Sequence, residues 1–153
     1  MGQQQLLLLV LATVIVGIAT VVGIQAFSQN SAKSNADALM NDAVRIASDA
    51  QAWAQKSAPF GGPATFGAAG FDEATFALLG YSSTNDGDDT TTDPNVYSNL
   101  NGDFILTPAA NNLLITGTNP TLQNRVTVAV TGLTDDTVNG QVVCLSGEGT
   151  NCP

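Results

Sequence analysis

The sequence predicts an α+β protein: one long N-terminal α-helix, apolar in its first half and amphipathic in its second, packed on a small antiparallel β-sheet head. Three observations carry this reading. Residues 1–32 hold no charged side chain. Apolar residues then recur at alternating spacings of three and four up to Ala54, and beyond Phe104 they fall into short alternating runs separated by turn residues. At 153 residues and 44% apolar content the chain fits one ordinary domain with a core.

Composition narrows the function classes. Four basic residues stand against thirteen acidic ones, a net charge of -9, which is the wrong sign for neutralising phosphates. Direct nucleic-acid binding is not expected. The chain has no histidine, which removes Ser-His-Asp and Cys-His catalysis, His-ligated zinc or haem, and the commonest acid/base group near neutral pH. Gly61, Gly62, Gly67 and Gly70 follow a helix rather than a strand, so they make no phosphate-binding loop. No enzyme activity and no catalytic or cofactor-binding residue is expected.

The first element is Leu6 to Ile24, nineteen residues whose only non-aliphatic members are two threonines and two glycines. As a helix it is about 28 Å long, near the thickness of a bilayer core. Thirteen of the nineteen are Leu, Val or Ile, and leaving them in water would cost on the order of 20–40 kcal/mol, more than the stability of a domain. The segment must lie in lipid or among other chains. A secretory signal peptide is one alternative, but no basic residue precedes the run, and Ile24 stands where a small residue is wanted before a cleavage site. A single-pass anchor is another, and here no Lys or Arg lies close on either side to fix its orientation.

After Phe27 the helix continues. Ala36, Leu39, Met40, Ala43, Ile46, Ala47, Ala50, Trp53 and Ala54 form one stripe, with Asp37, Asp42, Arg45, Asp49 and Lys56 off it, and Ser28 to Ser57 contains neither Pro nor Gly. The helix is expected to end near Ser57, before Pro59 and Gly61-Gly62-Pro63. Gly17 and Gly23 are its weakest points, each about 1 kcal/mol poorer than Ala. Four regions follow: an apolar helix over 1–27, an amphipathic one over 28–57, a connection over 58–100, and a sheet with a C-terminal loop over 101–153.

In the connection a short helix is expected from Asp72 to Leu79, stopped by Gly80. Phe60, Phe66, Phe71 and Phe76 are expected to pack onto the head, an aromatic relay being the alternative. Strands are expected at Phe104–Leu106, Leu113–Thr116, Arg125–Val130 and Gln141–Leu145. Gly117-Thr118-Asn119-Pro120, Thr134-Asp135-Asp136 and Asn139-Gly140 read as turns. Cys144 and Cys152, the only cysteines, read in an exported chain as a disulfide contributing about 2–3 kcal/mol. Two free thiols are the alternative, and two ligands without His cannot complete a zinc site. Asp86, Asp88, Asp89 and Asp93 offer oxygen ligands for calcium but miss the EF-hand pattern at Thr91 and Tyr97, so a solvated acidic loop is the competing reading.

Together, the apolar Leu6–Ile24 running into amphipathic Ser28–Ser57, the strand-rich head and the Cys144/Cys152 pair resemble a bacterial type IV pilin. The resemblance implies a prepilin whose basic leader is cut off by a dedicated peptidase, a methylated N-terminus, an inner-membrane pool, and assembly by an ATP-driven machine. The product would be an extracellular helical homopolymer serving adhesion, motility or DNA uptake. Its assembly surface would comprise Met1, Gln5, Leu6, Leu7, Leu8, Leu9, Val10, Leu11, Val14, Ile15, Ile18, Val21, Val22 and Ile24. A membrane-anchored minor pilin or type II secretion pseudopilin, acting as a binding module, is the second reading. Gln5 stands where the family usually has a glutamate, and if cleavage follows Gly2 that position falls to Leu7. Val22 lies where many relatives carry a kinking proline.

Overall fold

The computed structural model describes residues 2–83 and 94–144. Helix α1 runs unbroken from Gly2 to Ala54, 53 residues, or about 80 Å. Eight of the nineteen residues in Leu6–Ile24 are Val or Ile, which favour strands locally. A helix forms nonetheless because it pairs every backbone group within the segment, the only solution open to an isolated apolar stretch. Gly17 and Gly23 lie inside it without interrupting it. α1 stops at Ala54, three residues earlier than expected, where the Lys56 amide turns back onto the Trp53 carbonyl.

The sheet is a five-stranded antiparallel meander in sequential order: β1 (Val96–Ser98), β2 (Asp103–Ala109), β3 (Asn112–Asn119), β4 (Asn124–Val130) and β5 (Val138–Cys144). Alternation decides its faces. Phe104 and Leu106, Leu113 and Ile115, and Val126, Val128 and Val130 point inward and are fully or almost fully buried. α1 lies chiefly over β4, flanked by β3 and β5. The helical stripe falls in the expected phase, with Leu39, Ile46 and Trp53 as bulky members between Ala36, Ala43, Ala47, Ala50 and Ala54, which let the sheet come close. Met40 is half-buried at its edge. Gly102 marks one close approach: a Cβ there would meet the Thr118 carbonyl at 2.3 Å and Leu39 at 2.9 Å.

Several local expectations are corrected. The Asp72–Leu79 helix is replaced by a 3-10 turn at Ala68–Glu73, then extended backbone at Ala74 and a tight turn ending at Gly80. Burial of Phe71, Ala74 and Phe76 outweighs local helix preference, and the Phe76 amide donates to the Pro94 carbonyl instead of to a helix. Asn139-Gly140 is not a turn but part of β5, opposite Ala129 and Val128. Gly117–Asn119 completes β3, with the reversal at 120–123 where Gln123 takes a φ of 53°. β1 was not foreseen, its three residues being too short a run to carry a period. Phe71 and Phe76 pack in the core as expected, but Phe60 and Phe66 are exposed.

Candidate functional site: the apolar rod and its collar

Every residue from 2 to 31 is exposed, and burial begins at Ala32. The rod is therefore about 45 Å of helix outside the head. All thirteen Leu, Val and Ile of Leu6–Ile24 show 51% to 71% of their surface, so they surround the helix on all sides rather than facing this chain's own core. The two hydroxyls in this stretch are already satisfied: Thr13 donates to the Val10 carbonyl and Thr20 to the Gly17 carbonyl, each at 2.8 Å. Neither asks for an external polar partner. With no charged side chain before Lys33, transfer of the rod's side chains to an apolar environment carries no ionic desolvation cost.

α1 is long and apolar enough to cross a membrane, and as an N-terminal segment it has the character of a span or a signal sequence. Among the expected assembly residues, Leu6, Leu7, Leu8, Leu9, Val10, Leu11, Val14, Ile15, Ile18, Val21, Val22 and Ile24 lie together on this rod, as does exposed, neutral Gln5 near its start. No acidic side chain occupies the first turn. Met1 falls outside the described residues. So do Asp86, Asp88, Asp89, Asp93 and Cys152, and the Cys144 side chain with them, although the Cys144 backbone closes β5 opposite Arg125. Among the described residues no group of three or more acidic or cysteine side chains is placed to hold a metal ion.

Where the rod enters the head, asparagines form a collar. Asn124, buried at the start of β4, donates to the Ala32 carbonyl at 2.7 Å and to Asn35 Oδ1 at 3.0 Å. Asn35 and Asn119 both donate to the Asn101 carbonyl. Asp42 Oδ2 accepts from Asn99 at 2.9 Å and from Asn101 at 2.7 Å. Helix, sheet end and β1–β2 loop are thus tied at one level, which fixes the direction in which the rod leaves the head. The sequence reading missed this collar because Asn was taken as a turn former. The usable signal was Asn124 itself, in the inward phase of Val126, Val128 and Val130.

The connection is fastened higher up α1. Phe76, Tyr81, Tyr97 and Phe104 stack in an unbroken series with ring centroids 5.1 to 6.2 Å apart. The Tyr81 hydroxyl donates to Asp49; burial first, then this bond and the Asp49 charge, raise its pKa above the usual tyrosine value. A cavity of about 30 Å³ between Asp42, Arg45, Tyr81 and Asn99 has room for water only. Near the end of α1, Gln51 donates to the Gly132 and Thr134 carbonyls at 2.9 and 3.1 Å, and Trp53 Nε1 to the Gly61 carbonyl at 2.9 Å.

The shape, a long apolar N-terminal helix packed on an antiparallel sheet, is compatible with that of a pilin. No protein-family model matches the chain, and neither a curated protein nor a solved structure matches it.

Proposed function

We propose that this chain is a structural subunit that polymerises through its apolar rod into an extracellular filament of the type IV pilus kind. The single observation that carries the reading is the rod: thirteen large aliphatic side chains exposed around an uncharged helix that the head leaves uncovered. Exposure in water at that scale exceeds the stability of a whole domain. Before assembly a bilayer shelters the rod; afterwards identical rods from sister molecules do. Self-association suits a surface that is apolar all round, because each rod needs several neighbours and every copy brings one. The collar supports the same reading, since it gives every copy the same angle between rod and head.

Negative-stain microscopy of material sheared from the cell surface, labelled for this chain, provides the test. Labelled filaments are the expected result, and recovery of the chain from membrane fractions alone would falsify the polymer. That outcome would favour the second reading, a membrane-anchored binding module. Its support is the same helix, which alone suffices as a span. Adhesion, motility and DNA uptake are all open to such a filament.

A further inference from the structure

The rod leaves the head at the collar, and the chemistry of that end differs from that of the other. Two loops form it: 99–102 between β1 and β2, and 120–123 between β3 and β4. Neither loop holds a charged residue. Each presents a leucine: Leu100 is wholly exposed, and Leu122 lies half-buried beside Phe27, where Asn30, Ser31 and Asn101 also gather. Both loops are held in place, since Asn99 Oδ1 accepts from the Asn101 and Gly102 amides and Asn119 Oδ1 from the Leu122 amide. The opposite end is acidic instead, with exposed Asp135 and Asp136 before β5 and exposed Asp72 and Glu73 in the connection.

Length sets how far this end stands from a bilayer that shelters the rod. Leu6 to Phe27 holds no polar residue besides Thr13, Thr20 and Gln25, and as a helix it is about 33 Å long, a bilayer core crossed with slight tilt. Phe27 then lies at the edge of the hydrocarbon. Ser28, Gln29, Asn30 and Ser31 add about 6 Å, the depth of one headgroup layer, and burial in the head begins at Ala32. Because α1 is unbroken across this junction, no slack separates head from lipid.

We infer that, while the rod spans a bilayer, the collar end of the head rests on the phospholipid headgroups, with Phe27 at the hydrocarbon edge and Leu122 beside it in the headgroup layer. The inference deepens the bilayer-held state of the proposed function and rests on that state, not on the polymer. Continuity selects the occupant: lipid around the rod reaches these two loops before any other part of the head. Being uncharged, the loops enter that layer without ionic desolvation cost. Nearby charges are almost balanced. Lys33 lies one helical turn from Asp37, Asp103 and Arg125 flank Thr118 on the sheet, and Asp42 is held by Asn99 and Asn101. The one net negative charge left means that leucine and neutral polar groups make the contact, on zwitterionic lipid, without drawing on anionic headgroups.

Tryptophan quenching in phosphatidylcholine vesicles containing a lipid with a nitroxide on its headgroup tests this seat. The full-length chain is reconstituted at low density as Phe27→Trp, Leu122→Trp or Phe60→Trp. Native Trp53, buried and about 40 Å beyond Phe27 along α1, gives the unquenched reference. Emission from the added ring is expected to be lost at positions 27 and 122 and kept at exposed position 60, at the far end of the head. Should Leu122→Trp lower the melting temperature in detergent, Thr121→Trp, exposed in the same loop, takes its place. Quenching at 27 without quenching in this loop, or quenching at 60 equal to that in the loop, overturns the seat and leaves the span standing. Absence of quenching at 27 removes span and seat together.

Discussion

The two halves of α1 share one backbone and one helical geometry, yet their side chains meet opposite fates. From Ala32 onward the apolar residues occupy one stripe, so a single sheet covers them; before Ile24 they occupy all faces, so no single sheet could. Angular distribution, rather than helix propensity, thus decides which half belongs to the head and which awaits neighbours. Ile15 and Ile46 make the contrast measurable: the first is 57% exposed and the second 1%. Ile46→Ala is expected to destabilise the head by about 2–5 kcal/mol through lost burial and a residual cavity. Ile15→Ala should leave the denaturation midpoint in detergent unchanged. Equal losses at both sites would break the distinction between the halves.

The collar is where the halves join, and it gives the next largest effect. Asn124→Ala removes both donations that hold the Ala32 and Asn35 level of α1 to β4. A loss of about 1–3 kcal/mol is expected, because the acceptors remain behind without their partner. Urea denaturation in detergent should show a lower midpoint with unchanged slope, since the area exposed on unfolding stays the same. A midpoint equal to wild type would make the collar incidental to the junction.

This contrast also separates what the residues announced from what they hid. Helix, stripe and the inward phases of β2, β3 and β4 follow from periodicity, which each stretch carries within itself. Failures occurred wherever a partner distant in sequence decided the outcome. Asn139-Gly140 has the chemistry of a turn but is drawn into β5 by Ala129 and Val128. Asp72–Leu79 has helix signals, but burying Phe71, Ala74 and Phe76 needs a different backbone. Phe60 and Phe66 read like their buried neighbours because composition does not say which ring finds room. Asn35, Asn99, Asn101 and Asn119 are spread over the chain, and only the fold brings them to one level. The rod was legible throughout, since its character depends on no other part of this molecule.

Tyr81 offers the finest test, on the buried half alone. Its hydroxyl donates to Asp49, and burial together with that carboxylate raises its pKa above the ordinary tyrosine value. Above about pH 10, where a free tyrosine ionises, the unfolded chain releases this proton while the folded head retains it. Folding stability contributed by this group is therefore complete below pH 10 and lost as pH rises through the folded value. Tyr81→Phe is expected to cost about 1 kcal/mol below pH 10 for the missing bond to Asp49, and to fall less steeply above it. Denaturation midpoints of wild type and variant between pH 8 and 11 give the comparison directly, since other titrating groups enter both curves alike. Converging curves would show that the folded head keeps this proton through burial and the bond to Asp49; parallel curves would mean that the fold does not hold the proton and that ring packing alone fastens the connection.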